Sequence, residues 1–398
     1  EKESMMQVLV FVAAFAAFVS SMQASFFFPF DAAGKTGIHV SISDAALLAA
    51  AIILAILAIR RKISLASLIP PWPALAVLAA TIVAFLANGS MSGIQEIIQV
   101  VEILCVGCVL FRVAAKEGKS ENLVSGLLLA GALGTAVVAL YQRFVLHAAP
   151  FHVGGLLDNR SALAAYLLLA APWAAGRYLA SGAKAHWGER AAAVLLVLSS
   201  FILASNLVVS FALVLGTILA LVHPEEKSLF GSARQKGALA ALLVAWIAIT
   251  AFSGAERGAF AVYRRDATGR LVPSARIRRW QAGMTALYEN PVLGVGPGQY
   301  QARIGRYYRG AVLKPDGLTD DIALYDVLAD EPGTHGLWET IPVEGGLVAA
   351  AAWLLLIASG IGSALSNNRP GVAGAFAAVL LGGVAVNVWA RGIGVLLA

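Results

Sequence analysis

Long apolar runs recur along this chain at the length needed to cross a lipid bilayer, and that sets the fold class before any motif is considered. A bilayer's hydrocarbon core is about 30 Å thick, so a helix needs about 20 mostly apolar residues to span it. Such runs lie at 5–25, 43–60, 72–88, 94–114, 121–144, 161–181, 188–204, 206–223, 236–254, 339–366 and 371–397. In hydrocarbon each backbone N–H and C=O must find a partner inside the protein, and for single runs that means helix. Only 13% of the residues are charged and 59% are hydrophobic, against about 25% charged in an ordinary soluble domain. The expectation is an all-α polytopic membrane protein with about 11–12 transmembrane helices. The stretch 188–223 is nearly continuous and also fits two short helices joined by a re-entrant turn. The last run fits one long helix or a pair broken between Asn387 and Gly394. The first run follows Glu1, Lys2 and Glu3 and has no small-residue cleavage site ahead of a mature domain. It is read as a first span and not as a removed signal peptide.

Lysine and arginine in short loops orient such a bundle, being enriched on the cytoplasmic side. With the N-terminus inside, 14 basic residues fall in the cytoplasmic loops and ends, and four (Lys35, Arg143, Arg160 and Arg391) fall outside. The chain then divides into N-terminal transmembrane helices over 1–254 (about nine), one large external loop over 255–338, and C-terminal transmembrane helices over 339–398. The loop is polarised. Arg257 to Lys314 holds eleven basic and two acidic residues, whereas Asp316 to Glu331 holds six acidic residues and no basic one. The formal charge of +6 reflects topology. With no lysine-rich or RGG-like tract, it gives no reason to expect a nucleic-acid partner.

Chemistry-bearing residues concentrate in and beside the loop. Guanidinium groups match phosphate oxygens in a bidentate geometry and keep their charge. Arg276 and Arg279 are three apart, on one face of the helix that the composition of Arg276 to Tyr288 predicts, and Trp280 follows them. Arginines on this side suit a polyprenyl-diphosphate head group; a solvated or lipid-headgroup-binding loop accounts for the same charges. The predicted helix stops before Asn290-Pro291, where the residue preceding proline is steered out of helical geometry. Gly294-Val295-Gly296-Pro297-Gly298 lacks the strand, helix and downstream acid of a dinucleotide fingerprint. It reads as a turn, although glycine also lets backbone N–H groups approach an anion.

His335 precedes a span. As imidazole it can accept a hydroxyl proton, and as imidazolium it can stabilise a diphosphate; an interfacial structural histidine is the alternative. Glu344, nine residues on, is an ionisable group at the head of a span, where it is costly and so a candidate for function; Glu339 is a weaker case. Asp158-Asn159-Arg160-Ser161 adds a cation and polar groups on the same side. Glu96 and Glu102 could line a cavity, though nothing in the sequence pairs them. Cys105 and Cys108 have CxxC spacing but no nearby histidine, and they read as small apolar residues within a span. The other histidines lack metal-ligand spacing.

Three elements in this order resemble the O-antigen ligase and O-antigen polymerase superfamily of membrane glycosyltransferases. The first is Arg276-x3-Trp280 leading through Asn290-Pro291-x2-Gly294-x-Gly296-x-Gly298-x-Tyr300. The second is His335 with Glu344 and Gly346 after it. The third is Asn159-Arg160-Ser161 followed by Ala164 and Tyr166-Leu167. Together they cover roughly residues 150–365. Two positions depart from the family pattern. Gly336 stands where an asparagine commonly follows the histidine, and Ser210-Phe211 stands where a Ser-Arg pair is common, so Arg257 or Arg160 is a candidate to supply that charge. The chain also reads one span short at its C-terminus.

The resemblance implies a GT-C-like fold in the bacterial inner membrane, with the large loop and the active site in the periplasm. It implies transfer of a glycan from undecaprenyl diphosphate without metal or other cofactor. His335 would be the catalytic histidine and Arg276 the diphosphate-binding arginine. Arg160, Arg279, Arg257, Asn159, Trp280 and Glu344 would contact diphosphate or glycan. One dominant external loop ranks lipid A–core first among acceptors, which is lipopolysaccharide biosynthesis by an O-antigen ligase; a growing glycan, and so a polymerase, comes second, and a protein hydroxyl third. From a different class, an anion or lipid-linked-substrate transporter would also keep the arginines. Membrane lipids are partners in every reading.

Overall fold

The computed structural model describes residues 2–20, 22, 25–29, 37–115, 120–148, 153–157, 160–180, 186–204, 207–221, 237, 244, 263–265, 271–273, 275–300, 303, 304, 307 and 336–384. The fold is mostly helical. Helices α1 (Lys2–Val19), α2 (Ile42–Ile59) and α3 (Trp72–Asn88) are followed by α4 (Met91–Val100), which runs through a π-helical stretch (Val101–Gly107) into α5 (Cys108–Ala115). Then come α6 (Ser120–Phe144), α7 (Arg160–Ala174) with a π-helical tail (Ala175–Ala180), α8 (Trp187–Leu203) and α9 (Leu207–Leu221). After the polar segment's helix α10 (Ala275–Glu289) the chain closes with α11 (Leu337–Ser366) and α12 (Pro370–Gly382). Two short antiparallel ribbons pair Ser25–Pro29 with Gly37–Ser41 and Tyr263–Arg265 with Leu271–Pro273.

Five described helices are long and apolar enough to cross a membrane, and four shorter apolar helices accompany them. By length and composition these helices are what a polytopic membrane protein requires. The spans expected at 43–60, 72–88, 121–144 and 161–181 are met within one residue at each end by α2, α3, α6 and α7 with its π-helical tail. The expected 188–223 pair is two separate helices, α8 and α9. All but residues 237 and 244 of the span expected at 236–254, and the end of the one at 371–397, lie outside the described residues.

Small residues set the packing at the centre. Without a hydrophobic drive between helices in lipid, close van der Waals contact and backbone approach hold them together. Helix α12 packs chiefly on α9 and α7, and glycines face each other across both contacts. A methyl group on Gly176 would lie 2.1 Å from the Gly371 Cα, and one on Gly374 would lie 2.2 Å from the Gly216 carbonyl oxygen. Gly374→Ala is therefore expected to force α12 off α9 and to destabilise the protein by about 1–3 kcal/mol, the usual cost of overpacking. Thermal unfolding of the purified protein in detergent measures this.

Candidate functional site

Helix α11 is broken. Pro342 has no N–H to return to the helix. Four residues later Gly346 adopts φ 67°, ψ −166°, a region open only to glycine. Leu337, Thr340, Glu344 and Trp353 of this helix line a cavity of about 50 Å³ together with Thr81 and Glu96. That volume has room for a few water molecules.

A break at this place strands backbone groups that a continuous helix would pair: the carbonyls of Val343 and Glu344, and the N–H groups of Leu347 and Val348. Residues Pro291 to Gly296 take up all four. Val295 N–H donates to the Val343 carbonyl (2.7 Å) and Gly296 N–H to the Glu344 carbonyl (2.9 Å). In return, Leu347 N–H donates to the Pro291 carbonyl (2.9 Å) and Val348 N–H to that of Val292 (3.4 Å). The glycine run is thus a turn, as the sequence suggests, and its turn is fitted into a split helix. Gly294 has φ 64°, and a methyl there would lie 2.5 Å from the Glu344 carbonyl. The turn also reaches α3, where Asn88 Nδ2 donates to the Gly294 carbonyl (3.1 Å), and the head of α4, where Gln299 bonds the Ser90 hydroxyl.

Two carboxylates of the broken helix meet one tyrosine. Glu344 Oε1 accepts the Tyr300 backbone N–H at 2.9 Å, and the Gly298 N–H also donates to this carboxylate. The Tyr300 hydroxyl donates to Glu339 Oε1. Glu339 and Tyr300 are 4% and 7% exposed, so both groups are desolvated and need these partners. Tyr300 belongs to a small separate core with Ala282, Ala286, Val295, Ile304, Tyr307 and Val343, through which α10 sits on the first part of α11. Asn290 Nδ2, at the end of α10, closes the unit on the Tyr307 hydroxyl (3.3 Å).

The direction of this seat matters. Gly283 of α10 lies against Glu339 and Val343, whereas Pro291, beyond its end, bonds Leu347. The two stretches therefore run parallel, and the end of α10 that carries position 276 is directed towards Gly336. Position 279 lies on the helical stripe of the buried Ala282 and Ala286, and position 276 on that of Gly283, by the 3.6-residue period. Gly336 itself is wedged against α12, since a methyl there would lie 2.7 Å from the Val384 carbonyl oxygen. That close approach explains a glycine where the resemblance leads one to expect asparagine. Next to it, the Trp338 backbone and indole N–H groups donate to the Gly383 and Leu380 carbonyls at 3.2 and 2.8 Å, supplying partners to the end of α12.

The expected site residues are thus unequally placed. Backbone positions 276 and 279, the half-buried Trp280 and Glu344 belong to the α10–α11 unit. His335, Arg257 and Asn159 lie outside the described residues; His335 is the neighbour of Gly336. Arg160 stands at the start of α7, with Nη2 donating to the Ala204 carbonyl at the end of α8 (3.3 Å). Since Gly382 packs on Leu168, the end of α12, where Trp338 of α11 bonds it, is set about two turns, or about 12 Å, along α7 from Arg160. Phe211 is exposed on α9 beside the buried Ser210. Glu96, expected to line a cavity, does so; the bond of Glu339 to Tyr300 and the part played by Asn88 were not anticipated. A signal was available for the break: Gly345-Gly346 just after Pro342 interrupts an apolar run, a pattern that marks discontinuous membrane helices. Among the described residues no group of three or more His, Cys, Asp or Glu is arranged to hold a metal ion. No protein-family model and no curated protein matches this chain.

Proposed function

We propose that this protein is a GT-C-like membrane glycosyltransferase of the O-antigen ligase and polymerase type. It moves a glycan from undecaprenyl diphosphate to an acceptor hydroxyl at the periplasmic face of the bacterial inner membrane, with lipid A–core as the acceptor. The observation that carries this reading is the parallel seat of α10 on the broken α11. It joins the first of the three elements of the resemblance to the described part of the second, Gly336 to Gly346, and it directs the end of α10 that carries position 276 towards Gly336, the residue after His335.

In this account the donor's lipid tail lies against the helices in the bilayer. Arg276 and Arg279 bind the diphosphate and stabilise it as charge grows on the leaving oxygen, since preorganised charge of this kind is usually the largest catalytic contribution. His335 takes the acceptor hydroxyl proton or orients the diphosphate. One displacement at the anomeric carbon inverts it. Glu344 is occupied with the loop backbone, so its contribution is to the shape of the site.

A transporter of lipid-linked substrate or anion is the second reading. A discontinuous helix beside a cavity bearing the carboxylates of Glu96 and Glu344 is a feature that carriers also use. One experiment separates the two. Purified protein is given an undecaprenyl-diphosphate glycan and, separately, lipid A–core, a shorter glycan or a protein acceptor, with EDTA present; the same protein in vesicles is assayed for donor movement. Glycan joined to lipid A–core is the expected result. Product on a shorter glycan alone makes it a polymerase, and donor movement without any product overturns the transferase reading.

A further inference from the structure

We propose that Glu344 and Glu339 are positioning residues of the transferase site, which clamp Tyr300 at both ends and thereby fix α10 relative to the start of α11. This rests on the transferase reading for its consequence in turnover, but not for the clamp itself.

The two glutamates are five residues apart on the bent part of α11, so they leave the helix about 140° apart and cannot serve one group side by side. One tyrosine nonetheless meets both. Glu344 takes its backbone N–H, together with that of Gly298, and Glu339 takes its hydroxyl. Each carboxyl oxygen that accepts an N–H or O–H donor here satisfies a buried polar group, and burial raises the cost of losing these bonds. The grip is aimed at the hinge of the unit. Tyr300 follows the turn that fills the break in α11, and it packs with Ala282 and Ala286 of α10. With Tyr300 held, α10 is tied to α11 by the core on one side and by the backbone bonds of the turn on the other. Release of Tyr300 frees α10 to rotate about Asn290-Pro291, and the Arg276 end, about 20 Å from that hinge, moves most.

The test uses the full-length protein in detergent or nanodiscs and reads two quantities. The first is hydrogen–deuterium exchange of peptides within 290–304, which needs no substrate. Glu344→Ala is expected to raise exchange there at least about tenfold, while Glu344→Gln, which keeps an acceptor oxygen, retains most of the protection. The second is turnover. Displacing reacting groups by about 1 Å can cost on the order of 10²-fold, so Glu344→Ala is expected to lower kcat by that order with the donor KM little changed, and Glu344→Gln to recover most of the loss. Tyr300→Phe, which removes only the hydroxyl bonded to Glu339, serves where Glu344→Ala does not fold and is expected to show the same two effects in smaller measure. Wild-type exchange and wild-type kcat in Glu344→Ala, or in Tyr300→Phe where it substitutes, overturn the proposal. Equal losses in Glu344→Gln and Glu344→Ala overturn it as well, because the carboxylate charge would then be acting in the chemistry. A wild-type protein that transfers nothing defeats the transferase reading, and the exchange measurement still decides the clamp.

Discussion

Gly346→Ala is expected to melt well below the wild type. Alanine is strained at φ 67°, ψ −166°, by about 1–3 kcal/mol. Its methyl would also lie 2.1 Å from the Val292 carbonyl oxygen and 2.2 Å from the Val292 carbonyl carbon. Both are backbone atoms already committed to the break, so no side chain can swing aside. Either the turn leaves α11 or the helix straightens, and each route gives up the hydrogen bonds of Val295, Gly296, Leu347 and Val348. A total loss of more than about 3 kcal/mol follows, in the range reserved for a few named mechanisms. Gly362→Ala is the control. It lies further along the same helix with nothing within 4 Å of the added methyl, and it should be neutral or slightly stabilising, as alanine is the better helix former. Thermal unfolding of the two variants side by side measures this. A Gly346→Ala protein that melts with the wild type would show that the break does not exist in solution.

The second large effect is on turnover. Arg276→Ala and His335→Ala are each expected to lower the transfer rate by about 10²–10³-fold or more, the scale for removing a donor to developing charge or a positioned acid or base. Arg276→Lys separates charge from shape. Lysine keeps the charge but cannot make the bidentate contact, so an intermediate rate identifies the diphosphate as the ligand. The measurement is single-turnover transfer from undecaprenyl-diphosphate glycan, with folding checked by thermal unfolding. Unchanged rates in both alanine variants would remove these residues from the mechanism.

The membrane helices were legible because hydrocarbon imposes one rule on every run, a length of apolar residues and a helical backbone. For that reason α3, expected at 72–88, is Trp72–Asn88. The break in α11 was half legible, in Pro342 and Gly345-Gly346, but its filling was not. The groups that fill it are backbone carbonyls and N–H groups of residues 291–296, which almost any side chain could accompany. Sequence shows only that glycine is frequent there. Glu344 stood out as a costly carboxylate at the head of a span. It accepts the backbone N–H of Tyr300, and no side-chain pattern announces that. Glu96 was singled out without a partner, because it shares a cavity with Glu344 only through folding that brings together residues about 250 apart in sequence. Arg160 illustrates the opposite case. Its charge suggested a ligand, whereas the end of α8 claims at least one of its N–H groups.

The glycine contacts of α12 bear on how the chain is made. Helix α12 lies on α7 and α9, yet it leaves the ribosome about 150 residues after α9, which at about 5–20 residues per second is a delay of roughly 8–30 s. Throughout that interval the faces around Gly176 and Gly216 border lipid or transient neighbours. Lipid tolerates this, because small residues gain little by leaving hydrocarbon and associate only when a surface of matching shape arrives. The centre of the bundle is thus the last part to close, and the polar segment, synthesised between α9 and α12, has emerged before the frame that receives it is complete.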